Sequence, residues 1–344
     1  MNRKLCVLTS FLAVSVLLCC TTQNMHTSIF NSLAQDSVVA FQYPSHFSPP
    51  LYDFSKNPMT KNGIHLGRML FYDPILSSDS TVACASCHQP YSAFAHMNHS
   101  ISHGVSRRLG HRNAPGLFNL AWSPSFMMDG GIPNLEILAL RPITNPVEMN
   151  EKLENVLKKL NESKLYRTKF KDVYGAKVIT TNLLLKSMSQ FLVSIVSFNS
   201  RYDQYRQGKD TLSAEELRGL KLVRQHCSPC HGGEHFTDHT FHNIGLDTLL
   251  FPNNDTGRES YTMQKADRRK FKTPTLRNFS LTSPYLHDGR AYSLNMTLDM
   301  HDSISEPSPV ERMEIYFFLQ TLFDRNLISN PDYNTPFDNY VVIH

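Results

Sequence analysis

Two short runs, Cys84-Ala85-Ser86-Cys87-His88 and Cys227-Ser228-Pro229-Cys230-His231, constrain this chain more than any other feature. Both read Cys-x-x-Cys-His, the spacing by which a c-type haem is attached. Two thiols about one helical turn apart can each add to a haem vinyl group, and the adjacent imidazole reaches the iron as proximal ligand. A structural zinc site built from the four cysteines, or a pair of redox-active dithiols, would use the same thiols. Neither accounts for a histidine directly after each pair. The residues therefore imply two haem c groups, one on Cys84, Cys87 and His88, the other on Cys227, Cys230 and His231.

With 344 residues, 41% of them hydrophobic, the chain can bury one large core or two modest ones, and two separated haem motifs favour two. The formal net charge of +4 and the lack of any basic patch exclude nucleic acid as a partner. Of seven cysteines, the three outside the motifs, Cys6, Cys19 and Cys20, all lie in the first twenty residues, so no structural disulfide is expected. Those residues read as a targeting segment: Arg3-Lys4 is a positive start, and Cys6 to Leu18 is an apolar run too short for a membrane span. Val16-Leu17-Leu18-Cys19-Cys20 resembles a bacterial lipobox, in which the cysteine after the cut receives lipid. An ordinary signal peptide with a fortuitous cysteine is the alternative. Both imply export, and lipid on Cys19 or Cys20 would anchor the protein in the periplasm or outer cell envelope.

Residues 1–20 are thus a signal peptide and 21–60 a polar, Pro-containing tether and arm laid over the first domain. Domain one is expected over 61–208 and domain two over 209–344, with a C-terminal tail that can pack back on the first. Leu66 to Phe71 is a helical stretch stopped by Asp73-Pro74. Helical spacing resumes over Met149 to Leu160, where a glutamate at 148 would complement the helix start. Leu184, Leu185, Met188, Phe191, Leu192 and Ile195 mark a buried helix. Ser213 and Glu216 fit a capping box for a helix that turns Leu217, Leu220 and Val223 inward and runs into Cys227. Ser308-Pro309-x-Glu311 caps a last helix, with Ile315, Phe318, Leu319 and Leu322 on its apolar face. No stretch alternates with period two for long, so the expected fold class is mostly α, with two cytochrome c-like domains.

Further motifs are ordered along the chain. They are Leu70-Phe71-Tyr72-Asp73-Pro74, the first haem motif, Arg112-Asn113-Ala114-Pro115, Asp129-Gly130, Pro146-Val147-Glu148-Met149, the second haem motif, Thr275-Leu276-Arg277-Asn278, and Thr282-x-Pro284-Tyr285-x-His287-Asp288-Gly289-Arg290. This set resembles the bacterial di-haem cytochrome c peroxidase family, including its MauG branch, over roughly residues 60 to 325. The resemblance implies an N-terminal, peroxidatic haem and a C-terminal, electron-transfer haem. The latter would take electrons from a small exported cytochrome c or copper protein and pass them on to reduce hydrogen peroxide. It also implies a removable second ligand on the first iron, which the matching segment assigns to His103, with His96, His99 and His111 as local competitors. Glu148 matches the family's distal glutamate, which shuttles a proton between the peroxide oxygens. Asn113, with the carbonyls of Thr282 and Pro284, matches a calcium site between the haems, a set of oxygen ligands that suits that ion. Homodimers are a further family tendency.

Three positions depart from the pattern. Met128 stands where the family has a tryptophan before Asp-Gly, and the chain's only tryptophan is Trp122. Leu138 stands where a pocket glutamine is common. The distal ligand of the second haem, Met in the peroxidases and Tyr in the MauG branch, falls by count from Arg290 on His301, with Met300 beside it. On a helix these neighbours point about 100° apart, so one at most can face the iron. The expected function is peroxide reduction. Alternatives on the same fold are a di-haem electron carrier or redox sensor, and MauG-like oxidation of a protein or organic substrate.

Overall fold

The computed structural model describes residues 37–246, 254–301 and 306–337. The targeting segment with Cys19 and Cys20 lies outside the described residues. The fold is mostly α; its one sheet is a two-stranded ribbon, β1 (Phe241–His242) antiparallel to β2 (Phe271–Lys272). Among the described residues no helix is long and apolar enough to cross a membrane.

Two pairs of packed helices organise the buried side chains into two clusters. In the first, α1 (Lys61–Tyr72) lies against α4 (Thr181–Ser194). Thr60 caps α1 by accepting from the Gly63 amide, and the extended backbone of Asp73 ends it. In the second, α5 (Ala214–His226) lies against α7 (Pro309–Gln320), each opened by its expected capping box. Both pairs close on a glycine. A Cβ on Gly67 would stand 2.0 Å from the Ser187 carbonyl oxygen, and one on Gly219 would stand 1.9 Å from that of Glu314. Only hydrogen fits at these crossings, which is what lets the two backbones touch.

Segments near both limits of the described residues reach between the clusters. On the N-terminal arm Phe47 buries itself against Trp122 of the first half and His235 of the second, and the Trp122 indole N–H donates to the Ser48 carbonyl at 2.7 Å. At the other end Leu327 joins the first cluster, and the Tyr333 hydroxyl donates to the Ser194 carbonyl at 2.7 Å.

Three local expectations need correction. The helix expected from Met149 is α2 (Leu153–Glu162); Asn150, at φ +49°, takes the left-handed conformation and breaks the helical path before it. Glu148 therefore sits in a turn and complements no helix start. Leu217 points outward at 42% exposure, leaving Leu220 and Val223 as the inward stripe of α5. His301 is not helical: α6 (Leu294–Asp299) ends with Met300 as its cap, so the spread of neighbours around a helix does not apply.

The structure also displays a repeat that escapes a motif search. A constant shift of 159 residue numbers carries 113–131 onto 272–290 and matches Pro115 to Pro274, Leu117 to Leu276, Asn119 to Asn278 and Asp129-Gly130 to Asp288-Gly289. The backbone repeats too. Asn119 and Asn278 are both left-handed, as are Met127 and Leu286, and the bridges Phe126↔Ile132 and Tyr285↔Ala291 correspond.

Candidate functional site

A cavity of about 1380 Å³ carries both Cys-x-x-Cys-His motifs on its wall and draws its lining from both clusters. It exceeds the roughly 300–1,000 Å³ of a single small-molecule pocket. The first motif forms a single helical turn, Cys84–Cys87, tied by the Ser86 hydroxyl, which accepts from the Ala83 amide at 3.1 Å. The second follows directly on α5, whose last turn hands the chain to Cys227. All four cysteines are free, and burial pushes the thiol pKa up to about 12 at Cys84 and about 11 at Cys87 and Cys227. Unattached, the thiols of Cys84, Cys87 and Cys227 are protonated at neutral pH.

His88 and His231 share one arrangement. The His88 Nδ1 lies 2.8 Å from the Phe94 carbonyl and the His231 Nδ1 lies 3.4 Å from the Phe236 carbonyl. A carbonyl only accepts, so Nδ1 bears the proton and Nε2 keeps its lone pair. Burial holds both pKa values down, to about 4 for His231, where His301 contributes further. Both are neutral imidazoles ready to ligate iron. Large cavity, paired thiols and a neutral imidazole beside each pair fit a haem at each motif.

Glu148 lines the same cavity on the side of the first motif. Burial raises its pKa, although the Asn145 amide donates to Oε1 at 2.6 Å and Arg141 pulls the other way. Its backbone is pinned by Val105, whose N–H donates to the Glu148 carbonyl at 2.8 Å, and by Gly104, where a Cβ would meet that carbonyl oxygen at 2.2 Å. Of the local histidines, His103 and His111 reach the cavity wall. His96 is buried with Nδ1 2.7 Å from the Ser102 hydroxyl and stacks on His99. The His103 side chain is otherwise exposed, and its carbonyl lies 4.0 Å from the Cys87 sulfur.

Across the cavity, His301 is on the wall and Met300 is not among the lining residues. The His301 Nδ1 lies 2.6 Å from the Thr297 carbonyl, which again leaves Nε2 with the lone pair. Asn113, Thr282 and Pro284 all line the cavity, as do Met128 and Leu138. The Asn113 amide nitrogen donates to the carbonyls of His99 and Ser100, at 3.0 and 3.1 Å, which leaves Oδ1 as its acceptor. The loop that carries His103 is thereby fastened beside the Asn113 position, and a Cβ on Gly289 would strike the Ser100 Cα at 2.5 Å.

The motifs include Arg112 without its partners and leave out Lys272. Arg112 clamps Asp129 and Asp255, donating from Nη1 at 2.6 Å and from Nε and Nη2 at 2.7 and 2.9 Å. It lies 5.5 Å from the ring of Phe271, which stacks on His287. Lys272 reaches across to the first half, where its ammonium meets Ser123 and Ser125. The repeat, which matches Lys272 to Asn113, is the signal that could have found it.

Comparison with known proteins agrees with this geometry. The family model described as di-haem cytochrome c peroxidase matches residues 61–211. The chain is 33% identical over 291 residues to the methylamine utilization protein MauG of Methylorubrum extorquens, covering 77% of this chain and 79% of that protein. It is 33% identical over 285 residues to cytochrome c551 peroxidase of Nitrosomonas europaea, covering 81% and 84%. The crystal structure of a MauG-like protein associated with microbial copper homeostasis superimposes with a TM-score of 0.80 at 28% identity, over 87% of this chain and 99% of that one. Two thiol pairs with their imidazoles on one cavity, and relatives of this identity along most of their length, lead to one assignment: the chain belongs to the di-haem cytochrome c peroxidase family, which includes MauG.

Proposed function

We propose that this chain is an exported di-haem enzyme that reduces hydrogen peroxide to water with electrons from a small cytochrome c or copper protein. The observation that carries the reading is a single cavity whose wall has two neutral imidazoles, each beside a thiol pair, and Glu148, a carboxyl whose pKa burial raises. Cytochrome c peroxidase is also what the Nitrosomonas relative is named for. Bound haems would supply the electron storage and the reductive O–O cleavage in which one peroxide takes two electrons and two protons and leaves as two waters.

The residues divide the remaining work. Cys84, Cys87 and His88 hold the peroxidatic group in domain 61–208; Cys227, Cys230 and His231 hold the electron-accepting group in domain 209–344. Glu148 takes the proton from one peroxide oxygen and returns it to the other, while Asn145 fixes the carboxyl's orientation. Leu138 keeps that wall apolar and water out. His103 would be the removable second ligand of the first group, and Asn113, which holds the His103 loop through the His99 and Ser100 carbonyls, would hold calcium together with Thr282 and Pro284. Lipid on Cys19 or Cys20 would hold the protein at the envelope.

His301 would be the second residue to hold the group at the second site, a reading supported by its place on the cavity wall and its available Nε2. His301→Ala should abolish the low-spin ferric spectrum of that haem, and Met300→Ala should leave it intact. A long-wavelength Met–ferric band that disappears only in Met300→Ala would reverse the assignment.

Turnover tests the whole reading. Protein loaded with both haems and given peroxide and a reduced c-type cytochrome should oxidise two donors per peroxide. No donor oxidation above that of the free reagents would contradict it. The identity to MauG favours a second reading, oxidation of a protein or organic substrate by peroxide equivalents. It would be recognised by a substrate-dependent, donor-independent consumption of peroxide.

A further inference from the structure

The repeat maps the calcium ligands proposed above onto a second, unassigned constellation. Its shift of 159 residue numbers carries Asn113 to Lys272, and carries Ser123 and Ser125 to Thr282 and Pro284. The backbone confirms the correspondence at atomic level: the Lys272 N–H donates to the Met128 carbonyl at 2.7 Å, and the Asn113 N–H donates to the His287 carbonyl, the mate of Met128, at 2.8 Å. In the second constellation the Lys272 ammonium donates to the Ser123 hydroxyl at 2.5 Å and to the Ser125 carbonyl. Those are the two positions whose mates, Thr282 and Pro284, are read as offering oxygen to calcium.

The chemistry of this pocket suits a small hard cation. Its acceptors are a hydroxyl and a carbonyl, the neutral oxygens that oxygen-ligated cations use, and the face of Phe126 lies 5.6 Å from the ammonium. Among the described residues no ion pair to a carboxylate involves Lys272. Burial brings its pKa down to about 8, so it is still charged at neutral pH. An ammonium held on neutral oxygens without a counter-charge is costly unless its position rewards it.

We propose that the Lys272 ammonium is a tethered cation occupying the second of two pseudo-symmetric cation sites, the first being the Asn113 site that takes free calcium. The proposal rests on the calcium reading of Asn113, Thr282 and Pro284. One half of the molecule carries a fixed charge and the other an exchangeable one, and residues of both sites line the cavity. Because Lys272 joins the second half to Ser123 and Ser125 of the first, the fixed charge also clips the halves together at the Met128 position. Its field acts on whatever redox groups line the cavity, and a buried positive charge favours their reduced forms.

The test uses the holoprotein carrying both haems, stripped with a chelator, desalted and titrated with calcium alone. Wild type should bind one calcium, Lys272→Asn two and Asn113→Lys none. Equal calcium binding by Lys272→Asn and wild type would overturn the proposal. No calcium on wild type with one on Lys272→Asn would uphold the tethered cation and reject the calcium reading of Asn113. Should Lys272→Asn fail to retain both haems, Lys272→Met decides the matter. Loss of the charge without a new ligand should lower the haem midpoint potentials in a redox titration, and unmoved potentials would overturn the role.

Discussion

Glu148→Gln should lower peroxide turnover by roughly 10² to 10⁴-fold while both haems stay attached. The substitution keeps the length of the side chain and its Oε1 acceptor, so the hydrogen bond from the Asn145 amide persists. What disappears is the capacity to take up and return a proton. The pH dependence separates this role from a structural one. Burial raises the Glu148 pKa above the ordinary carboxylate value of 4.5. A shuttle must begin deprotonated, so wild-type turnover should fall on the acid side at a pH above that value, and the Glu148→Gln variant should lack this limb. Stability should move the other way. A carboxyl whose folded pKa is raised costs the native state stability as pH rises through the window between the unfolded and folded values, so Gln should be neutral or stabilising above it. Turnover within twofold of wild type would remove Glu148 from the chemistry.

Arg277→Met should destabilise the protein by about 3–5 kcal/mol, the cost of leaving one partner of a buried pair uncompensated. Both Arg277 and Asp203 are fully buried, and the guanidinium grips the carboxylate with two bonds of 2.9 and 2.8 Å. Burial alone would raise the Asp203 pKa, but the charge and hydrogen bonds of Arg277 outweigh it and hold it below 3.8. The pair's contribution is therefore fully present above pH 3.8 and declines as pH falls from there through the lower folded value. In Arg277→Met the carboxyl relaxes by taking a proton, so the deficit seen as a lowered urea midpoint should be large at neutral pH and shrink in acid. Arg277→Lys should fall between the two, because an ammonium cannot reproduce the two-pronged grip. The effect reaches the second haem motif. Arg277 Nε also donates to the Glu234 carbonyl at 2.8 Å, three residues past His231, so Arg277→Met should loosen that haem before the first. A midpoint unchanged at neutral pH would mean that the pair is not formed in solution.

The sequence was legible where chemistry is local. Cys-x-x-Cys-His is a covalent requirement spanning five residues, and the capping boxes at Ser213 and Ser308 are closed within four, so each declares itself in a short window. The apolar stripe of α4 did so by period. Single backbone choices did not. The left-handed Asn150 delays α2, and the early end of α6 frees His301 from the helix, though neither leaves a mark on hydrophobic spacing. Pairings across long stretches of chain were equally silent. Arg277 with Asp203, Arg112 with Asp255 and Lys272 with Ser123 meet only after the two halves fold together. The exception is instructive, since Lys272 could have been found from sequence through its symmetry mate Asn113. The repeat keeps the backbone turns at Asn119 and Asn278 while exchanging side chains, Lys272 for Asn113 among them.

The central claim is that one cavity serves two covalently held haems, at His88 and at His231. The mass of the denatured, mature protein tests it most directly. Wild type should carry two haems, and Cys84→Ala/Cys87→Ala and Cys227→Ala/Cys230→Ala should each carry one. A wild-type mass with a single haem or none, or two haems retained after either pair is removed, would contradict it.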